Sequence, residues 1–588
     1  MSLPWLYPRR SKLDTRCESC EFRGMPNAST VFANTCTDHR KIFWFVAIAT
    51  SLAPPLFTSN AGESRTPAQI QLHNLGNYSF RVSTNSREAQ RAFDRGLTLA
   101  YGFGHYAAEQ EFRRALGSDS NCAMAWWGIA LANGPHINFP LVPPDKAATA
   151  WEALGKAQAL AGRTTPLEQS LIAALSKRYA NPQPEDRSPL DTAYAAAMRA
   201  LWQSFPDNAD VGTLFAEAAM DLHPWDLWNN DAPQPWTPEI LTTLERVLQI
   251  NPRHPGANHL YIHVTEASPQ PEKGIPSADR LRQLVPDVSH LVHMPAHIYA
   301  RVDRWPEAAT ANREAMKADI RYRAAYPRPG LYSMYMAHNA HFLCFVDMMR
   351  GRSGEALQCA RTMVQDVPDE FIKEYAPIAD GYMIIVSETL MRFGRWQEVL
   401  ATAEPRPELP LSRALWHYTR TSALTALNRM DDAASEKAAF QQAVKAVPSD
   451  WRFGNNSAVD ILAIASRVID GEMAAKRAQL DPAISVLRDA VRLEDNLHYD
   501  EPPDWIQPVR HTLGAVLLKA GKTADAEKIY REDLLRYPGN GWSLLGLRDA
   551  LAQQGKKDEA RLVGKQFKKA WATADIQPTF TCYCQQNN

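Results

Sequence analysis

Three short runs concentrate the side chains able to do chemistry. HLYIHVTE (259–266), HLVHMPAHIY (290–299) and HNAH (338–341) hold seven of the sixteen histidines in this 588-residue chain. At ~100° per residue, His259 and His263 share one helix face, and His338 and His341 share another. His290, His293 and His297 fall within about 60° of one another on a third face. Imidazole displayed on three helical faces is the chemistry of a transition-metal site or of proton handling. Neutral imidazole suits copper, iron, nickel and zinc, and the runs bring no cluster of cysteines, so copper or iron is expected ahead of zinc. Seven ligands exceed the three or four that one ion takes, so some serve as outer supports or there are two ions. Glu266, one turn after His263, is the catalytic candidate, as a carboxylate ligand or a general base. HLYIH has Leu260 where an H-E-x-x-H zinc protease has its glutamate, so that motif is not met. The competing reading is a groove whose histidines hold a peptide without metal.

The rest of the composition narrows the classes. Hydrophobic residues make up 45% and charged residues 22%, ordinary for a soluble globular chain. A formal net charge of −1 offers no polyanion-binding surface, so no nucleic-acid partner is expected. Ala, Leu, Arg and Glu fill long stretches while Val and Ile rarely alternate, which points to helix nearly throughout. Near the N-terminus Arg40 and Lys41 precede an apolar run, Ile42–Leu52, that Pro54 and Pro55 close. The run is shorter than the ~18–20 residues a spanning helix needs. Ser59 and Ala61 suit the −3 and −1 positions of a cleavage site, so 1–61 reads as an export signal, with Met25 as an alternative start. The expectation is a periplasmic or secreted protein with no stable membrane span after cleavage. Cys17, Cys20 and Cys36 precede that site. Cys122, Cys344 and Cys359 lie in helical patterns as buried thiols. Cys582 and Cys584 sit in the tail TCYCQQNN, and no disulfide framework emerges.

Residues 62–85 read as a linker or N-terminal arm, and helix pairs begin at Ser86. Gly96, Ala108, Phe112 and Ala115 set a small–large pattern that returns at the far end as Leu513, Gly514, Ala526, Tyr530 and Pro538. Counting 34 residues on from Ala92 lands on Trp126. Repeats of this length mean a solenoid. TPLEQSLIAALSKRYA and LDTAYAAAMRALWQSF form one intervening pair. Thr237 is expected to cap, and Pro238 to open, the helix TPEILTTLERVLQINP. Pro448–Asn456 and Leu497–Trp505 are the expected inserted loops.

The pattern Gly…Ala-x3-Phe/Tyr-x2-Ala…Pro with a period near 34 resembles the tetratricopeptide repeat. Matches fall at 89–122, 123–133, 289–322, 337–370, about 380–410, 414–448, 507–540 and 541–574. The resemblance implies an all-α fold, a right-handed superhelical solenoid of antiparallel helix pairs. It divides the chain into N-terminal repeats 86–255, central His-rich repeats 256–366, C-terminal repeats 367–575 and a tail, 576–588. It is specific for fold and unspecific for function. With Ala308 and Ala356 as position 20, His290, His293 and His297 take positions 2, 5 and 9, and His338 and His341 take 2 and 5. One period back, His259, His263 and Glu266 take 5, 9 and 12. In that family these positions line the concave groove, so the resemblance implies that all seven histidines face one another there, around a small-molecule or peptide ligand. A non-catalytic protein-binding scaffold is what the family implies instead if no metal is held.

Several neighbours could join the site. Pro295 removes an N–H and is expected to kink the middle helix, separating the aim of His290 and His293 from that of His297. His223-Pro-Trp-Asp-Leu-Trp228 gathers aromatics that could wall the groove. The loop holding Tyr499, Asp500, Glu501 and Trp505, with Arg510 and His511, reaches it only if the superhelix curls round. Asp319 and Asp347 are near in sequence. The expected function is an exported metalloprotein doing redox or hydrolytic chemistry.

Overall fold

The computed structural model describes residues 72–585, apart from 230 and 328. The expected export signal, Met25, Cys17, Cys20 and Cys36 lie outside these residues.

Helix pairs at both ends of the array are held by a large side chain filling the space that a glycine vacates. The Ser86 hydroxyl caps Arg87–Ala100 by accepting from the Ala89 amide. That helix turns into His105–Ser118, whose Phe112 is fully buried. A Cβ on Gly96 or on Gly128 of the following helix would come within 2.7 and 2.6 Å of the Phe112 ring. Tyr530 does the same between Gly514 and Gly546 at the other end of the chain. Only hydrogen fits at these contacts, so the backbones approach closely and the hairpins stack. Ser333–Met349 with Ser353–Asp366, and Gly541–Gln553 with Lys557–Ala570, form further antiparallel pairs. Ala458–Lys476 and Leu480–Asp495 make a further pair that the pattern does not flag, because Leu487 rather than an aromatic fills the place opposite Gly471. The fold is all-α, a solenoid of antiparallel helix pairs; among the described residues the strands are two short hairpins, Trp228–Asn229 with Ala232–Pro233 and Arg452–Phe453 with Asn456–Ser457.

Some local expectations are corrected. Thr237 is already helical, and its hydroxyl donates to the Leu227 carbonyl instead of capping. The repeat expected at 380–410 is irregular. Asp380–Ile384 is a 3₁₀ turn and its second helix is only Trp396–Ala401, since Pro405, Pro407 and Pro410 allow no continuation.

Three sets of contacts close the array on itself. Residues 72–85 are no free linker: Leu72, Leu75, Phe80 and Val82 are buried. The amides of His73 and Asn74 donate to Asp287 at 2.9 and 2.8 Å, and Arg321 holds its other oxygen at 2.7 Å. The C-terminal repeats return to the central ones, where the Trp542 indole donates to the Met348 carbonyl and the Trp305 indole to that of Pro538. The two inserted loops clasp each other through Asn456, which donates to the His498 carbonyl and to Asp504. Among the described residues no helix is long and apolar enough to cross a membrane.

Burial pushes the Asp287 carboxyl up, but the amides it accepts from and the Arg321 guanidinium outweigh this and hold it below the ordinary range. A lowered carboxyl contributes stability above its unfolded pKa and loses it as pH falls through the lower folded value. Asp287→Asn is therefore expected to cost about 1–3 kcal/mol at neutral pH, with faster amide exchange at 73–74. The deficit should shrink as pH falls below the ordinary carboxyl range and through the lowered folded value. Urea denaturation and hydrogen exchange across that range check both.

Candidate metal centre

Pro255–Glu266 is helical and buried along its whole length, polar residues included. His254 starts it, with Nδ1 accepting from the Ala257 amide, and Pro255 takes the first helical position, where no N–H is needed. The next histidine helix is interrupted at Met294, between Ser289–His293 and Pro295–Arg301. Pro295 has no N–H for the Leu291 carbonyl, and His297 bonds instead to the Met294 carbonyl in a tighter turn. Ser333–Met349 supplies the third face.

These helices gather six of the seven candidate histidines into two triads. In the first, Nε2 of His259 lies 3.0 Å from that of His263 and 3.1 Å from that of His290. In the second, Nε2 of His293 lies 2.8 Å from that of His297 and 3.1 Å from that of His338. The donor atoms of each triad all lie within 4.8 Å of one another. The interruption at Met294 does not separate His290 and His293 from His297 as expected: the triads part within Ser289–His293, His290 joining the first while His293 and His297 both join the second. The triads adjoin, with ring centres 6.0 Å apart for His290 and His293 and 6.1 Å for His263 and His297.

The outer ring nitrogens decide what the inner ones can do. His259 Nδ1 faces the Tyr101 carbonyl at 2.7 Å, and a carbonyl can only accept. His263 Nδ1 faces Glu266 Oε1 at 2.8 Å, and His297 Nδ1 faces Glu266 Oε2 at 2.5 Å. His293 Nδ1 faces Asn312 Oδ1 at 2.6 Å, while the Asn312 amide nitrogen donates to the Ala308 carbonyl. Four Nδ1 atoms therefore carry the proton, and four Nε2 lone pairs point inward. Without a positive charge between them, the 3.0 and 2.8 Å contacts set lone pair against lone pair. Protons are poor candidates for that charge. Burial lowers every one of these imidazoles, His259, His297 and His338 to about 3 and His263 to about 4, against the partial help of Glu266 for His263. The residues fit a metal ion at each triad, three nitrogens per ion.

Glu266 sits between the triads with each oxygen on a different one, and burial pushes its own pKa up. The Tyr499 hydroxyl reaches it at 3.3 Å, and Arg301 donates to its backbone carbonyl. The superhelix does curl round, and the Tyr499 loop covers the site. Trp225 stands edge-on to His263 at 5.2 Å between ring centres, so the 223–228 segment supplies a second wall. The histidines thus occupy a buried chamber instead of the open groove that the repeat register implied. Five are 0–3% exposed and His338 alone is half-buried.

His341 is not brought in. It lies against Tyr382 at 5.1 Å, with neither ring nitrogen hydrogen-bonded among the described residues. Three residues past His338, it turns toward the following helix pair. His511 bonds Asp533 at 2.9 Å and stays outside, while Asp319 holds Asn339 and Asp347 pairs with Arg313 and Arg350. Sequence reasoning missed Asn312, which carries no local signal, and Phe103. The Phe103 ring meets His259 at 4.6 Å and His290 at 5.6 Å, with His136 stacked on it at 4.4 Å. Its backbone is left-handed, φ 56°, a conformation uncommon outside glycine that surrounding packing must enforce. The flanking Gly102 and Gly104 were the available hint.

No family model matches the chain, and no curated protein matches it. Among solved structures, the human IFIT1 dimer with m7Gppp-AAAA overlaps 84% of this chain and 92% of its own at 12% identity and a TM-score of 0.31. The APC/C hetero-tetramer Cut9–Hcn1 overlaps 82% and 76% at 14% identity and the same TM-score. At that TM-score neither likeness bears on the site.

Gly102 lets the Tyr101–Phe103 corner reach the helix that carries His290, because a Cβ there would meet Val288 at 2.4 Å and Leu291 at 3.1 Å. Gly102→Ala is expected to destabilise the chain by about 1–3 kcal/mol, read as a lowered midpoint in denaturant. Gly117→Ala, where a Cβ meets nothing within 4 Å, should not.

Proposed function

We propose that this is an exported metalloprotein whose central repeats hold two transition-metal ions, one at each histidine triad, and that the pair performs redox chemistry on a small molecule. One observation carries the reading: Nε2 of His259 and of His263 face each other at 3.0 Å while both Nδ1 protons are committed elsewhere. Such a contact is stable around a cation that accepts both lone pairs.

The donor set favours copper. All six inward atoms are imidazole nitrogens, whereas non-haem iron sites commonly include a carboxylate and structural zinc sites use thiolates. Iron is the next choice. Hydrolytic zinc remains the alternative within the class, since three imidazoles and a water also make a catalytic zinc set, but Glu266 would not serve it as base, because both its oxygens are engaged by rings. Glu266 is then a positioning residue rather than the base it resembled in sequence. When bound, ions of this class supply one-electron steps and open coordination positions for an oxygen-containing ligand. The chain's own part is to hold the rings. Glu266, Asn312 and the Tyr101 carbonyl lock the tautomers, and Phe103, Trp225 and Phe342, whose ring lies 5.4 Å from that of His293 and 5.0 Å from that of His297, limit water around the two triads. Export rests on the leader alone, and N-terminal sequencing of the mature protein should find a start just after Ala61.

Elemental analysis of untagged protein is expected to find two metal equivalents per chain. His259→Ala and His293→Ala should each lose at least one, and His341→Ala should keep both. Glu266→Gln, which leaves a single good acceptor for two Nδ1 protons, should weaken retention against a chelator by roughly 10–100-fold. Metal-free protein with an intact fold would leave only a helical docking scaffold.

A further inference from the structure

A second group of ligand atoms lies in the C-terminal repeats. Cys582 and Cys584 are joined in a disulfide, and Thr581 seats this tail by donating to the His511 carbonyl at 2.8 Å. Below them, Glu472 rises from the Ala458–Lys476 helix. Its carboxylate and the two sulfurs lie within 4.8 Å of one another. Glu472 is 4% exposed, and its Oε2 has no hydrogen-bond partner among the described residues. An unsatisfied buried carboxylate oxygen is costly, and the Ser422 hydroxyl stands near this carboxyl without completing a hydrogen bond to Oε2. The cavity between them is also lined by Arg392 and Trp505, whose Nη2 and Nε1 are likewise buried without partners. It has room for about one or two waters.

We propose that in the dithiol state Cys582, Cys584 and Glu472 form a three-donor site for a divalent, thiophilic ion of the zinc class. Two thiolates and a carboxylate with such an ion leave one net negative charge, which the buried Arg392 guanidinium balances. The small cavity accommodates the water that completes four-coordination, within reach of the unpartnered donors that line it. The disulfide is the metal-free state. A small-molecule dithiol supplies two electrons and two protons to open the bond and leaves as its own disulfide. Both thiol protons then pass to solvent as the two metal–sulfur bonds form. The site shares no residue with the histidine triads and stands independently of them.

Co²⁺ is the probe, added to the full chain with Cys17, Cys20 and Cys36 replaced by serine. A sulfur-to-cobalt charge-transfer band reports this site, because the triads offer only nitrogen and the remaining thiols, Cys122, Cys344 and Cys359, are buried. The band is expected at one equivalent in the reduced chain and absent in the oxidised one. Zn²⁺ should displace the cobalt and abolish the band. Cys584→Ser should remove it, and Glu472→Gln should weaken binding roughly tenfold or more. The tail substitution leaves the helix pairs untouched, and an unchanged unfolding midpoint would verify that. No band on reduction, a band that survives Cys584→Ser, or unchanged affinity in Glu472→Gln would each overturn the proposal.

Discussion

Everything about the central repeats follows from inward-facing lone pairs that the protein does not allow to turn away. Each buried imidazole has one proton, and where an oxygen acceptor stands behind Nδ1 that proton is spent on it. A carbonyl at Tyr101, an amide oxygen at Asn312 and the two oxygens of Glu266 place four protons on the outside. The converging nitrogens then form a negative focus inside an apolar shell. Such a focus is unstable by itself, and the surrounding fold is what imposes it.

That imposition explains features that are expensive for folding alone. A helix buried along its whole length with asparagine, two histidines and a glutamate is a poor choice for a core. So is a proline that interrupts the next helix, or a phenylalanine held at φ 56°. Each is local strain or lost solvation; turns elsewhere in the array also hold a left-handed residue, as at Asn428 and Ala478, but the centre gathers all three costs within one cluster. The rest of the chain compensates by volume: glycines against Phe112 and Tyr530 let hairpins stack tightly. The arm at 72–85 and the returning C-terminal repeats then brace the centre from two sides. Here the solenoid works as a frame around a buried site, with the inserted loop at Tyr499 as its cover.

Much of this could be read before any coordinates. The small–large pattern located most helix pairs because close backbone approach demands glycine or alanine at fixed spacing. It failed where another residue did the same job, as Leu487 does opposite Gly471, and where prolines cut a repeat short after Ala401. The histidine faces were legible from the helical period, and the proline at 295 was legible as an interruption. Which histidines meet was not. His341 shares the period with His338 and yet lies against Tyr382, because a helix has a neighbour on each side and periodicity does not say which face meets which.

By itself, then, the sequence determined an all-α array of paired helices with imidazoles clustered near its middle. These are properties of residue type and short-range spacing, which the backbone obeys locally. Tertiary structure alone decided the split into two triads, the Glu266 link between them, the Phe103 and Asn312 supports, and the closure of the groove into a chamber. Those depend on contacts between residues as much as 233 positions apart, and no local rule carries that information.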